Sequence, residues 1–186
     1  MNDLGYEVYS MKPSDLIGDV GEVVTANTLR QLGLTVLRNL YLPYKDHTVE
    51  IDMVAICPRC VFVIENKNYK GRIRGSLDAD YWTVHYGKVI QRLYNPLKQN
   101  MLHISVLRGI LENDICLKNV VIFNDYVQGI DICSDNVFTL SEFVSRYQEH
   151  NNSGSISISA VSDKLRRYSD MSDEARLLHV SNLYKR

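Results

Sequence analysis

The sequence of 186 residues predicts an α/β protein with a mixed central sheet flanked by helices. Two observations support this class. Helical and strand periodicities alternate along the chain, and the hydrophobic and charged contents of 45% and 23% are ordinary for a globular protein. We expect one domain over residues 1–150. A linker and a helical tail should follow over residues 151–186, because an Asn-Asn-Ser-Gly-Ser stretch interrupts the pattern there.

Elements can be assigned in order through the first half of the chain. Leu16, Val20, Val23 and Val24 recur at helical spacing, and Gly33 ends this pattern. Apolar runs typical of strands follow, separated by turn residues. The predicted elements are a helix over 15–32 capped by Ser14, a strand over 35–42, a polar loop over 43–48, and a hairpin of strands over 49–56 and 61–69.

The second half begins with a segment rich in glycine and charge, which predicts a loop over 71–80. Gly87 and Lys88 separate two strand-like runs and predict a second hairpin. Pro96 suits the first turn of a helix. The other predicted elements are strands over 81–86, 89–93, 120–123 and 137–140 and helices over 96–111, 141–148, 161–168 and 173–184, with Ser141 and Ser172 as caps.

Composition argues against several classes of protein. The first 13 residues include acidic groups and no apolar stretch, so we expect no signal peptide. No apolar run approaches the roughly 20 residues that span a bilayer. A cytoplasmic protein without membrane partners is therefore expected. The formal net charge is −1, yet residues 67–98, the basic segment, contain seven basic and two acidic residues. This segment is either a solvated face or a surface for nucleic acid.

Four cysteines, Cys57, Cys60, Cys116 and Cys133, are expected to be reduced thiols. The spacing of Cys57 and Cys60 matches half a zinc site or a redox motif. Zinc would need two more ligands, and the other two cysteines form no second close pair. A redox pair usually opens a helix, whereas this one links two predicted strands. The sequence therefore favours a plain turn, with zinc as the alternative.

Two acidic residues interrupt the apolar strands of the first predicted hairpin. If the hairpin closes symmetrically about the Cys57–Cys60 turn, paired residue numbers sum to 117. Asp52 then lies opposite Glu65. In the same register, Glu50 lies opposite Lys67. Directly opposite side chains have Cβ atoms about 4.5–5.5 Å apart. Two carboxylates at that distance repel each other unless a cation or a proton neutralises one of them.

Oxygen ligands favour a hard cation, so the acid pair predicts magnesium or manganese. Such an ion can polarise a phosphate oxygen and lower the pKa of bound water. Lys67 could orient that water or offset the charge that builds on the phosphate. The alternative is that Asp52 and Glu65 form salt bridges with Lys67 on a solvated sheet face. The position of the acids inside apolar strands favours the metal site.

Asp52 lies on one predicted strand, and Glu65-Asn66-Lys67 follows on the next strand after a turn. This arrangement resembles the core of the PD-(D/E)XK nuclease superfamily. Further segments, between about residues 15 and 123, resemble the nuclease-related domain (NERD) family within it. This resemblance implies a restriction-endonuclease-like α/β core. The segments are Gly21-Glu22, Glu50-Ile51-Asp52, Val61 to Asn68, Gly71 to Gly75, Trp82 and Asn95 to Gln99.

The resemblance also implies roles for individual residues. Lys67 and Gln99 match catalytic residues. His103 occupies the position of a tyrosine in related nucleases, so both a role in the site and a place in the core or on the surface remain alternatives for it. Trp82 is expected in the core, with stacking on bases as the alternative. The implied metal ligands, for Mg²⁺ or Mn²⁺, are Glu22, Asp52, Glu65 and the backbone carbonyl of Asn66. The predicted nucleic-acid-binding residues of the basic segment are Lys70, Arg72, Arg74, Lys88 and Arg92.

We therefore expect a metal-dependent nuclease that hydrolyses DNA, as an endonuclease or a processing nuclease, by in-line attack of water on phosphorus. One alternative is a nucleic-acid-binding module on the same fold without the chemistry. Another is a protein-interaction module that uses the tail, which is also the candidate segment for a homo-oligomer. The set of acids and lysine favours the enzyme, because clustered acids would repel phosphate in a pure binding module.

Overall fold

A computed structural model describes residues 13–148 and 154–169 of the protein. The predicted helix over 173–184, its cap Ser172 and most of the predicted linker lie outside these residues. The described elements, in chain order, are α1 (Pro13–Gln31), β1 (Thr35–Tyr44), β2 (His47–Ile56), β3 (Val61–Lys67), β4 (Arg72–Arg74), β5 (Tyr81–Tyr86), β6 (Val89–Tyr94), α2 (Pro96–Arg108), β7 (Leu117–Phe123), β8 (Gly129–Asp131), β9 (Val137–Thr139), α3 (Leu140–Gln148) and α4 (Ile158–Arg166).

Five strands form the main sheet, in the order β1-β2-β3-β7-β9. β2 is antiparallel to β1 and β3, whereas β7 is parallel to β3 and β9. Both faces are covered, because strand side chains alternate in direction. Val54 and Val63 pack towards α2 and α4, and Met53 and Ile64 pack towards α1 and α3. The predicted α/β class, with a mixed sheet flanked by helices, is confirmed.

A second sheet of four strands, in the order β6-β5-β4-β8, follows β3 in the chain. β5 and β6 form the predicted hairpin, and Gly87 takes a φ of 61° in its turn. Trp82 is fully buried, and its Nε1 donates to the carbonyl of Ser76 at 2.8 Å, which confirms the core position. A Cβ atom at Gly75 would lie 2.2 Å from the Trp82 ring, so this close approach requires glycine.

The predicted polar loop over 43–48 is wrong. β1 and β2 continue through it and pair as far as Tyr44 with His47. The turn between them contains Lys45, whose φ is 54°. Pro43 is compatible with β1 because that strand lies at the edge of the main sheet, where proline is tolerated.

The sequence predicts a loop over the whole glycine-rich segment 71–80, but the structure shows a loop over only part of it. Its residues 72–74 form β4, which pairs with β5 and, in parallel, with β8. A strand of three residues is too short to show a periodicity of its own. Its existence depends on partners that lie nine or more residues away in the chain.

Two predicted helix caps are also wrong. α1 already includes Pro13, so Ser14 lies inside the helix. At α3 the cap is Thr139 rather than Ser141. The hydroxyl of Thr139 accepts from the N–H of Glu142 at 3.3 Å, and the Glu142 carboxylate accepts from the N–H of Thr139 at 2.7 Å.

α1 contacts the main sheet through its C-terminal half. Ala26 and Leu29 are fully buried, whereas Val20 and Val24 are exposed among the described residues. The apolar spacing therefore predicts the helix but not the residues that meet the core. Neither α1 nor any other described helix is long and apolar enough to cross a membrane.

The described part of the tail packs on the main sheet. α4 buries Val161 and Leu165 in the core formed by β1, β2 and α2. Beyond the helix, the carbonyl of Tyr168 accepts a hydrogen bond from the N–H of Tyr41 at 3.0 Å. This segment is therefore part of the core packing around the edge strand β1.

Candidate functional site

The hairpin of β2 and β3 brings the predicted acidic residues together. The observed pairs between residues 53–56 and 61–64 all sum to 117, so the predicted register is confirmed. The ladder stops one step before Asp52 and Glu65. Oδ2 of Asp52 instead accepts from the N–H of Asn66 at 3.1 Å. The two carboxylates thus lie where the strands begin to separate.

β1 is irregular at the position opposite Asp52. Its pairing with β2 is regular on both sides, but the pair of Asn39 with Asp52 is missing. Asn39 has a φ of 51°, a left-handed conformation that asparagine tolerates better than most residues. Backbone in such regions is often found at functional sites. The main sheet is therefore distorted where the acidic residues lie.

Glu65 is almost completely buried, with 1% of its surface exposed. Nζ of Lys67 lies 2.6 Å from its Oε1, while Oε2 is buried and has no hydrogen-bond partner among the described residues. Burial, followed by the charge of Asp52, raises the pKa of Glu65 to about 8, against the opposing effect of Lys67. Without a cation, burial and the charge of Asp52 therefore favour the protonated form of Glu65.

Asp52 and Lys67 share this environment. Burial raises the pKa of Asp52, although Lys67 and the N–H of Asn66 oppose the change. Burial alone would lower the pKa of Lys67, but the carboxylates of Glu65 and Asp52 outweigh it and raise that pKa above its usual value. Lys67 is thus positively charged at neutral pH, and 20% of its side chain is open to solvent.

α1 docks against the end of β3 next to these residues. The hydroxyl of Thr25 donates a hydrogen bond to Oδ1 of Asn66 at 2.9 Å. One turn earlier, a Cβ atom at Gly21 would lie 3.2 Å from Nδ2 of Asn68. The absence of a side chain at Gly21 therefore allows the helix to approach the strand.

Glu22, on the same helix, lies at the edge of the site rather than at its centre. Its Oε2 is 3.0 Å from Nη2 of Arg38. Its charge still contributes, as a minor effect, to the raised pKa of Glu65. Within residues 13–148 and 154–169 no three His, Cys, Asp or Glu side chains are grouped closely enough to hold a metal. Among the acids, Asp52 has the largest effect on the pKa of Glu65.

α2 presents two buried polar side chains to the same region. Nδ2 of Asn100 donates to the carbonyl of Val63 at 2.6 Å, and Nδ1 of His103 lies 3.1 Å from Oδ1 of Asn100. His103 Nδ1 is also 3.5 Å from Oε2 of Glu65. Burial, together with the charge of Lys67, lowers the pKa of His103 to about 4, so its ring is neutral.

The sequence resemblance points to Gln99 on this helix and not to Asn100. Gln99 is half-buried, and its side chain has no hydrogen-bond partner among the described residues. Asn100 is fully buried. The signal was present in the spacing, because Pro96, Asn100, His103 and Leu107 recur with helical periodicity and all belong to the buried face of α2. A polar residue in such a face points to a specific buried partner.

Arg72 and Arg74, predicted to contact phosphate, share a face of β4 as expected. Both are engaged by one carboxylate. Arg72 Nη1 lies 2.7 Å from Oδ1 of Asp131, and Arg74 Nε lies 3.1 Å from Oδ2. These ion pairs link β4 to β8, so phosphate would have to compete with Asp131 for the two guanidinium groups.

The other three predicted nucleic-acid-binding residues, Lys70, Lys88 and Arg92, are exposed and have no ion-pair partner in the described part of the chain. Arg92 lies over the ring of Tyr81, 3.9 Å from its centroid. The rings of Tyr81 and Tyr94 are 5.6 Å apart, and both are about half-exposed. Cationic and aromatic groups together are typical of surfaces that bind single-stranded nucleic acid.

Comparison with known proteins identifies one family. The model of the nuclease-related domain, NERD, matches residues 17–124, which include both acids, Lys67 and Asn100. An uncharacterized protein of Bacillus anthracis is 35% identical over 103 residues, which are 53% of this chain and 48% of that protein. The aligned region thus spans about half of the relative's length. A crystal structure of a protein of unknown function shows a TM-score of 0.32 and 13% identity, over 89% of this chain and 95% of that one.

Proposed function

Since this chain belongs to the nuclease-related domain (NERD) family, we propose that it is a metal-dependent nuclease that hydrolyses phosphodiester bonds in DNA. The observation that supports this most strongly is Glu65, a buried carboxyl with one unpartnered oxygen next to Asp52 and Lys67. A buried acid pair destabilises a fold unless a proton or a cation neutralises it. A divalent cation would satisfy both the charge and the unpartnered oxygen.

The donor atoms fit magnesium or manganese, which prefer oxygen ligands. Asp52, Glu65 and the backbone carbonyl of Asn66 would hold the ion, and Glu22 would join from α1 through a bound water if Arg38 released it. When bound, the ion supplies a polarised phosphate oxygen and a more acidic water. The protein's own contribution is to exclude bulk water from one side of this position, because Glu65 and its neighbours on β3 are buried.

Lys67 would act on the reacting phosphate. It stays protonated beside the acids, and part of its side chain is open to solvent, so its ammonium can donate to the attacking water or to a phosphate oxygen. His103 is neutral and hydrogen-bonded to Asn100, so it would pack beside Glu65 without adding charge to the site. Gln99, which is half-buried on α2, would contact the substrate from that helix.

DNA would be held by the second sheet. The chain passes from Lys67 directly into this sheet, so the exposed cations Lys70, Lys88 and Arg92 follow the acidic site in sequence. These groups would contact backbone phosphates. Arg72 and Arg74 would join them if phosphate displaced Asp131. The net charge of −1 predicts weak binding that is sensitive to salt.

Nicking of supercoiled plasmid DNA in Mg²⁺ or Mn²⁺ tests the proposal. Asp52→Asn and Lys67→Met should each reduce the nicking rate by about 10²-fold or more, because each removes a group that acts on the reacting phosphate. Asp46→Asn, an exposed acid at the β1–β2 turn, is the matched control and should nick like the wild type. Equal nicking by all four proteins would show that a contaminating nuclease is responsible and would reject the assignment.

One observation favours a second candidate, a nucleic-acid-binding module without catalysis. Glu22 is paired with Arg38, and no group of three potential metal ligands occurs in the described ranges. Calorimetry with Mn²⁺ separates the two functions. Binding that is lost in Asp52→Asn supports the nuclease, whereas DNA binding without any metal binding supports the module.

A further inference from the structure

A cavity of about 630 Å³ lies beside the turn between β2 and β3. Cys60 precedes β3, and Glu65 lies five residues further along that strand, a distance of about 17 Å. The cavity also lies on the other face of the main sheet, because its lining residues Phe62 and Val120 pack on the side of Ile64, whereas Glu65 projects from the opposite side. It is therefore separate from the acidic site. Its lining includes the aromatic rings of Phe62, Phe138, Phe143 and Tyr147 together with thiols and basic side chains. The thiols and basic side chains are Cys57, Cys60, Cys116, Arg59, Lys118 and Arg146.

The turn holds two of these thiols at contact distance. The Sγ atoms of Cys57 and Cys60 are 3.8 Å apart, and both cysteines are free thiols. The N–H of Cys57 donates to the carbonyl of Cys60 at 3.0 Å, and the carbonyl of Pro58 accepts from the N–H of Ile156 at 2.9 Å. The backbone of the turn is thus fixed at several points. A disulfide would require the sulfur atoms to approach from this separation to the bonding distance of about 2.05 Å.

The two thiols differ in acidity. A hydrogen bond from the Cys60 thiol lowers the pKa of Cys57 to about 6, and the charge of Arg59 adds to this effect. The same hydrogen bond, with burial, raises the pKa of Cys60. Cys57 is therefore the more acidic of the two thiols, although its Sγ also lies 3.3 Å from the carbonyl oxygen of Cys60. The thiolate is the nucleophile in thiol–disulfide exchange.

The basic side chains favour an anionic reactant. Three cations, Arg59, Lys118 and Arg146, line the cavity. The acid among the lining residues is Asp135, which lies 2.7 Å from Arg146. A cavity with excess positive charge attracts anions and raises their local concentration. A disulfide with carboxylate groups fits this electrostatic environment better than a neutral or cationic one.

We propose that Cys57 and Cys60 form a reversible dithiol–disulfide pair, oxidised by a small anionic disulfide that enters this cavity. The thiolate of Cys57 attacks one sulfur of the disulfide RSSR, which forms a mixed disulfide and releases RS⁻. Cys60 gives its proton to that RS⁻ and then attacks the Cys57 sulfur, which closes the protein disulfide and releases a second RS⁻. Overall the protein loses two electrons and one proton, and RSSR becomes RSH and RS⁻.

Mass spectrometry of the full chain tests this proposal, with glutathione disulfide as the anionic probe and cystamine as a cationic control. We expect glutathione disulfide to oxidise the thiols faster, and a reductant to reverse the reaction. Trypsin cleaves after Arg59, so a Cys57–Cys60 disulfide would join peptides 46–59 and 60–67. Oxidation only at Cys116 or Cys133, or no oxidation, would overturn the proposal. Equal rates with both probes would overturn the selection by charge.

Single substitutions test the order of the two steps. Cys60→Ser should stop at a mixed disulfide on Cys57, with a gain of one glutathione, whereas Cys57→Ser should react much more slowly at Cys60. Cys133→Ser, which removes an exposed thiol outside the cavity, is the matched control and should oxidise like the wild type. If Cys57→Ser reacts at Cys60 as fast as Cys60→Ser reacts at Cys57, the assignment of the nucleophile is wrong. The peptide map of the wild type decides the main point even if a variant fails to fold.

Discussion

Nδ1 of His103 lies 3.1 Å from Oδ1 of Asn100, and the surroundings of Asn100 determine which atom donates. Nδ2 of Asn100 faces three acceptors, the carbonyls of Val63 and Val120 and the side-chain oxygen of Asn119. Its Oδ1 must therefore accept from His103. It follows that neutral His103 has its proton on Nδ1 and cannot give that proton to Glu65. This leaves Oε2 of Glu65 available for a cation.

Asn100 should be important for stability. We expect Asn100→Ala to lower the free energy of unfolding by about 2–4 kcal/mol, because buried acceptors on β3 and β7 lose this donor and the truncation leaves a small void. Urea denaturation measures the effect. The adjacent Gln99→Ala is the matched control and should cost less than about 1 kcal/mol, since Gln99 is half-buried. Equal losses for the two variants would contradict the role assigned to Asn100.

Metal binding should release a proton below pH 8. The pKa of Glu65 without metal is about 8, so a cation must displace its proton at pH 7. We expect the apparent affinity for Mn²⁺ to rise with pH by up to about tenfold per unit and to level off above pH 8. Calorimetry in buffers of different ionisation enthalpy measures the number of protons released. Affinity independent of pH between 6 and 8 would show that Glu65 is not a ligand.

The stability of the metal-free protein should also depend on pH. Because burial raises the pKa of Glu65 from 4.5 to about 8, the unfolded chain loses this proton at lower pH than the folded protein. Stability should therefore fall as pH rises from about 4.5 to 8, and added Mn²⁺ should restore it. Thermal unfolding over this range, with and without metal, measures both effects. A midpoint that rises with pH in the absence of metal would contradict the protonated state of Glu65.

The left-handed conformation of Asn39 predicts which substitutions this position tolerates. Asn39→Val should destabilise the protein by about 1–3 kcal/mol, because a β-branched residue is strained at a φ of 51°. Asn39→Gly is the matched control and should unfold within about 0.5 kcal/mol of the wild type, since glycine adopts this conformation freely. If valine were tolerated as well as glycine, the distortion opposite Asp52 would not be a real constraint.

Arg92 should contribute to DNA affinity through charge. Arg92→Gln removes one exposed cation, so the slope of log affinity against log salt concentration should become shallower by about 1. Fluorescence anisotropy with labelled single-stranded DNA measures this slope. Lys118→Gln, at the start of β7 by the cysteine cavity, removes the same charge elsewhere and should leave the slope unchanged. A similar change in both variants would indicate a non-specific effect of net charge.

Local patterns in the sequence were sufficient for the class of fold and for the hairpin that carries the candidate site. Apolar alternation and the turn at residues 57–60 predict the β2–β3 hairpin, and symmetric closure predicts its register, which the structure shows. Because side chains alternate along a strand, that register also predicts that Asp52 and Glu65 lie close together. The family motif depends on the same residues, which is why it could be recognised without a structure.

Long-range partners were needed for the rest. Pairing of β3 with β7 joins residues more than 50 positions apart, and the second sheet depends on strands of three residues that have no periodicity of their own. Likewise, Asp131 engages Arg72 and Arg74 only because β8 lies beside β4. Local patterns report which residues prefer to be buried or extended. Which of them meet depends on the free energy of packing the whole chain, and that depends on contacts between segments far apart in sequence.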